Sequence, residues 1–201
     1  MNMLVDLVPT SVTIDGEKYE INSDFRTSIL FELMISDNEL SEKQKLEQAL
    51  KLYYPIIPTN INEAIEKILW FYRCGKDIVK SKGKGNKINT KIYDYEFDDE
   101  YIYSAYLDQY RIDLQDIEDL HWWKFKALFN SLSEECLFKK IMQWRATDTN
   151  KIKDKDQKSF YKNMQKVYKL PVNINKSEEQ RFNEINKALL EGNSEELCKL
   201  V

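Results

Sequence analysis

Glycine and proline are scarce in this 201-residue chain, at 5 and 4 residues. That scarcity argues against a turn-rich β sandwich and against a disordered tail, both of which draw on these residue types. The three cysteines, Cys74, Cys136 and Cys198, stand far apart, with no pair at metal-ligand spacing. Neither a disulfide framework nor a zinc knuckle is therefore expected, and a reducing cytoplasm is the compartment that fits. No stretch approaches the ~18 apolar residues that a membrane span needs. The first nine residues lack the basic region and long apolar run of a targeting signal, so the expectation is a soluble, unprocessed protein.

Histidine is nearly absent too. His121 stands alone, which excludes any mechanism built on a histidine pair and leaves one residue for a Cys-His or Ser-His dyad. Its neighbours Leu120 and Trp122 favour a packed structural role. GxSxG, GxxxxGK[ST], HExxH and GxGxxG do not occur, so the common hydrolase, nucleotide-binding and zincin signatures are missing. The formal net charge of −4 argues against a dedicated nucleic-acid coat. No catalytic residue, metal site or cofactor is expected.

What is present suits packed helices: 32% charged and 12% aromatic residues in a length that builds one ordinary domain or two small ones. The fold class expected is mainly α, a helical bundle with a short N-terminal β-hairpin. The hairpin is Val12 to Ile21, two alternating runs joined by Asp15-Gly16, a pair that tolerates the positive φ angles of a type I′ turn. Asn22-Ser23-Asp24 caps a helix from Phe25 to Ile35, which is expected to cover the hairpin, since a lone hairpin is marginal in water. Ser41 and Gln44 form a capping box for a helix ended by Pro55 and Pro58. Thr59 or Asn60 caps a third, Ile61 to Cys74, with Gly75 as a left-handed stop.

Residues 76–92 hold a run of lysines, including Lys80, Lys82, Lys84, Lys87 and Lys91, with Gly83 and Gly85 and little apolar periodicity. They read as a basic loop between an N-terminal part, 1–75, and a C-terminal helical part, 93–201, the two expected to pack as one compact unit. Asp94, Glu96, Asp98, Asp99 and Glu100 read as a solvated helix start, with Asp98 as cap. Asp116 to Leu132 reads as a central helix, apolar over most of its circumference, on which Lys124 falls among apolar residues and so needs a carboxylate or a path to water. Ser133 is expected to cap a helix to about Arg145. Asp154 to Leu170 forms another, stopped at Pro171, and Ser177 with Gln180 opens a last one closed by Gly192.

Several strings resemble a family of small bacteriophage proteins labelled gene-product-fifteen. The first set is Leu7-Val-Pro9 with Thr10-Ser-Val12, Ile14-Asp-Gly16, Tyr19, Ile21-Asn22 and Asp24-Phe-Arg26. The second is Tyr106-Leu107, Gln109-Tyr110, Ile112-Asp-Leu114 and Leu120-His-Trp-Trp-Lys-Phe125 with Ala127-Leu128. Ile141-Met142, Trp144-Arg145 and Tyr168-Lys-Leu-Pro171 complete the pattern. Trp144 departs from it, standing where tyrosine is expected.

The resemblance implies a gene near those for the major tail and tape measure proteins, and with it a tail assembly factor acting in the bacterial host cytoplasm. Such a chaperone-like protein would bind the tape measure protein or another tail protein, without catalysis, and could form a homo-oligomer. The groove residues expected for that partner are Trp122 and Phe129, because aromatic anchors suit an amphipathic helix. Two other readings stand beside it. One is a structural component retained in the tail or neck; the other is a nucleic-acid or anion-binding regulator using the lysine loop, although nucleic acid is not expected as the main partner.

Overall fold

A computed structural model describes residues 2–76 and 91–171. Among these the chain is mainly α, with seven helices and a two-stranded antiparallel N-terminal hairpin. It divides into two units that interleave along the sequence. The first holds residues up to 76 and 119–127, and the second holds 91–118 and 128–171. The segment 119–127, grouped by sequence with the C-terminal part, thus belongs to the first unit. The expected helix at 177–192 and Cys198 lie outside the described residues, as do Lys80, Lys82, Lys84 and Lys87 of the basic loop.

The hairpin forms as its turn chemistry requires. Strands β1 (Ser11–Ile14) and β2 (Glu17–Glu20) pair with Val12 opposite Tyr19 and Ile14 opposite Glu17. Asp15 and Gly16 both adopt positive φ, +49° and +82°, the backbone of a type I′ turn. Val12 and Ile14 point into the core. The helix packed on β1 is α3 rather than α1, the one expected from proximity in sequence.

Helix α1 (Phe25–Ser36) is capped by Asp24, whose carboxylate accepts the Arg26 N–H. Helix α2 (Glu42–Tyr53) opens with the reciprocal Ser41–Gln44 box. Lys45 in α2 is buried, and its Nζ donates to the Ile35 carbonyl at the end of α1. The cation there meets the negative pole of that helix. Helix α3 (Ile61–Tyr72) starts at Asn60, whose side chain accepts from the Glu63 N–H.

The end of α3 is a Schellman turn: Cys74 N–H donates to Phe71 O and Gly75 N–H to Trp70 O. Two residues in it are left-handed, Cys74 (φ +58°) and Gly75 (φ +67°), where Gly75 alone was expected. Gly75 also meets a close neighbour, since a Cβ built on it would lie 2.7 Å from Cη2 of Trp123. Gly75→Ala therefore adds left-handed strain to overpacking against a buried indole. It is expected to cost at least about 2 kcal/mol, read as a lower urea midpoint at unchanged slope.

In the second unit, α4 (Asp99–Tyr110) ends at Arg111 in the left-handed region. Helix α6 (Leu137–Ala146) buries Phe138 and Ile141. It begins four residues after Ser133, the cap expected for it, because the Ser133 hydroxyl is used in a preceding turn, accepting from Glu135 N–H. Helix α7 (Lys155–Val167), expected from Asp154 to Leu170, is capped by Asp154 and ends at Val167.

Helix α5 (Trp122–Asn130) is shorter than the expected Asp116 to Leu132. Before it, Leu120 N–H donates to the Asp24 carboxylate and its carbonyl accepts from Phe25 N–H. Trp122 N–H then donates to Ser23 O, and Asp24 and His121 form a bridge. These long-range bonds hold residues 120–121 out of a helix that local periodicity favours.

Candidate functional site

Two of the strings that carry the family resemblance, Asp24-Phe-Arg26 and Leu120 to Phe125, meet in the first unit. The segment Leu120 to Phe125 lies against the start of α1, and Phe125 stacks on Phe25 with centroids 4.9 Å apart. The two consecutive tryptophans act on the end of α3. Trp122 Nε1 donates to Tyr72 O at 2.8 Å and Trp123 Nε1 to Phe71 O at 2.7 Å. Carbonyls in the last turn of a helix have no partner within it, so a pair of indoles from another helix supplies the donors. Both rings are buried.

His121 precedes α5 and caps it. Its Nδ1 accepts from the Trp123 N–H at 3.0 Å, so the proton sits on Nε2, which donates to Pro9 O at 3.0 Å. Burial, partly offset by the Pro9 carbonyl, lowers its pKa. Protonation would also place a hydrogen on the nitrogen that accepts the cap bond. The unfolded chain therefore binds this proton more readily than the folded chain. Stability from this residue is complete above the ordinary histidine pKa of ~6.5 and falls as pH drops from there toward the lower folded value. Urea titrations between pH 7.5 and 5 are expected to show that loss, and His121→Gln to flatten it.

Beside the indoles lies a polar group of side chains. Tyr72 donates its hydroxyl to Glu32, stacks on Trp122 at 5.5 Å, and Lys126 Nζ sits 5.2 Å over the Trp122 ring. Burial lowers the Lys126 pKa while the Glu32 carboxylate opposes that shift. Burial pushes the Cys74 thiol up to about 11, which makes it a poor nucleophile at neutral pH. Lys124, expected among apolar neighbours, is exposed. The reason is the shortened helix: Ile117 and Leu120, which surround Lys124 on the longer wheel, precede α5.

The second unit has its own polar centre. Asp98 is fully buried, correcting the solvated helix start expected of it. It stands at the cap position of α4, but its side chain bonds none of that helix's N–H groups. Its carboxylate instead takes the Arg145 guanidinium at 2.6 and 2.9 Å and the Asp94 N–H at 2.9 Å. Arg145 also donates to Ile92 O and Tyr168 O. Four segments are tied through one ion pair: 92–94, the start of α4, α6 and the end of α7. Gln109 and Tyr110 close the end of α5, with Tyr110 Oη donating to Leu128 O and Gln109 exchanging bonds with Ser131 O and Ser133 N–H. Nothing near Asp98 in sequence announces Arg145, so only the family string at Trp144-Arg145 marks it.

Trp122 and Phe129, the residues expected to grip a partner, are core side chains at 0% and 3% exposure. Phe129 packs on Tyr93, Tyr95 and Phe138. Their surfaces are spent inside the chain, so a partner of the folded protein meets other residues. Among the described residues the exposed large apolar side chains are Met3, Leu4, Val5 and Leu7 before β1, Leu30, Ile56 and Ile57 in the first unit, and Phe97, Leu107, Leu137, Phe160 and Val167 in the second. Helix α7 has no buried residue. Its apolar positions Phe160, Tyr161, Met164 and Val167 fall on one side at helical spacing, with Phe160 half-exposed against the edge of Trp144.

Among the described residues no helix is long and apolar enough to cross a membrane, and no three acidic, histidine or cysteine side chains converge for a metal. Lys91, the described end of the basic loop, pairs with Asp94. A family model described as Bacteriophage Gp15 protein matches residues 4–170. No curated protein and no solved structure matches the chain.

Proposed function

This chain belongs to the bacteriophage Gp15 family, and from that membership we propose that it acts in phage tail morphogenesis as a non-enzymatic, chaperone-like assembly factor. Its partner on this reading is the tape measure protein, held in the host cytoplasm before the tail tube forms around it. Family membership is the observation that carries the reading. The physical need is plain, because a long amphipathic helix left in water associates through its apolar stripe unless another surface covers it.

The surface that suits this task is the open stripe of α7, with Phe160 and Val167 at 50% and 61% exposure. An amphipathic partner helix laid along it would bury both stripes at once. Co-expression with the tape measure protein of the same phage is expected to give a stoichiometric soluble complex in gel filtration. Val167→Asp, at the exposed end of the stripe, is expected to weaken that complex while leaving the unfolding midpoint in place. Failure of the wild-type chain to form the complex across salt and pH conditions would overturn the reading. Its presence in purified particles by mass spectrometry would assign it instead to the finished tail.

A further inference from the structure

The two strands of the hairpin have unlike outer edges. A strand edge is a row of unpaired N–H and C=O groups, and soluble proteins blunt such edges with charge, proline or a cover. β2 follows that rule, with three charges in Glu17-Lys18-Tyr19-Glu20. β1 does not: Ser11-Val12-Thr13-Ile14 has no charge and three β-branched residues.

The direction of the open groups on β1 follows from the ladder. Ile21 N–H donates to Thr10 O. In an antiparallel pair, hydrogen-bonded residues alternate with non-bonded ones, so Thr10, Val12 and Ile14 face β2, while Ser11 and Thr13 direct their backbone groups outward. The next outward N–H, that of Asp15, is taken by the Glu63 carboxylate of α3 at 2.9 Å. The outward edge therefore faces α3. Beside that bond lies a groove of about 600 Å³, lined by Ser11–Thr13 and by Glu66, Lys67, Leu69, Trp70 and Arg73. A strand edge facing a helix across an open groove is an acceptor for an extended peptide, with main-chain bonds on one side and side-chain contacts on the other.

The same unit carries an arm with the composition of such a peptide. Leu4-Val5-Asp6-Leu7-Val8 leads into β1, with Leu4, Val5 and Leu7 at 95%, 80% and 94% exposure. Four of its five residues are apolar, against a groove wall that includes Val12, Leu69 and Trp70. The arm is held in a turn by exposed bonds from Val5 and Asp6 N–H to Asn2 O and from Asn2 N–H to the Asp6 carboxylate. Water replaces such bonds at small net cost when the arm extends.

We infer that the groove between β1 and α3 is a strand-acceptor site whose occupant is the Leu4–Val8 arm of a second copy of this chain. Reciprocal exchange of arms gives a closed two-fold dimer. This rests on the hairpin edges and the arm and not on the tape measure reading.

The test is light scattering on the full chain, with amide exchange followed at Ser11 and Thr13. The wild type is expected to be a dimer. Leu4→Asp with Leu7→Asp changes only exposed side chains, so the fold is kept; mass falls by about half, and exchange at Ser11 and Thr13 speeds up at least about tenfold. Thr13→Pro removes an outward donor and no ladder bond, and is expected to give the same loss of mass. A monomeric wild type, or a dimer that survives the arm substitutions, would overturn the proposal. Slow exchange at Ser11 and Thr13 that appears only with an added tail protein would overturn the second copy as occupant.

Discussion

Arg145→Ala is expected to destabilise the protein by about 3–5 kcal/mol, because it leaves the Asp98 carboxylate buried without its counter-charge. The arginine is the keystone of the second unit. Its side chain is 9% exposed, it grips Asp98 through two nitrogens, and it donates to two backbone carbonyls besides. Removal frees four segments together, so the effect should appear as a large fall in urea midpoint. The double substitution Asp98→Leu with Arg145→Met removes the stranded charge as well as its partner and is expected to recover much of the loss. A near-neutral Arg145→Ala would mean that water reaches Asp98 and that the pair is a surface ornament.

Trp122→Ala is expected to cost a similar amount, about 3–5 kcal/mol, for a different reason: it opens a cavity in a fully packed aromatic cluster. It also leaves the Tyr72 carbonyl without its indole donor. Trp122→Phe keeps most of the ring stacking and loses the donor, so its cost should be smaller, about 1–3 kcal/mol. Thermal melts of the two variants separate packing from hydrogen bonding. Any loss of partner binding in Trp122→Ala should track the unfolded fraction, whereas Val167→Asp on α7 should affect binding at constant stability.

Features set by neighbouring residues were legible in the sequence. Asp15-Gly16 dictates its turn, Ser41 and Gln44 make their reciprocal cap, and Asp154 starts α7 wherever that helix packs. Features set by distant residues were not. The start of α5 is decided by Asp24, Ser23 and Phe25, nearly a hundred positions away, and the misplaced start moved Lys124 from solvent to the apolar side of the wheel. Asp98 sits in a run of acids that reads as solvated, and only the fold brings Arg145 to it. The same cause misdirected the candidate site: Trp122 and Phe129 have the chemistry of anchors, but the carbonyls of α3 and the rings around Tyr93 claim them first. The motif strings thus mark the family by marking how its core closes.

Exchange of the Trp122 indole hydrogen with solvent deuterium, followed by NMR, tests that account most directly. If the ring is a core group donating to the Tyr72 carbonyl, its Nε1–H should exchange as slowly as the most protected core amides. Exchange within the dead time, at the rate of a surface indole, would show that the ring is open to water and free to meet a partner, and would contradict the assignment of this motif to the core.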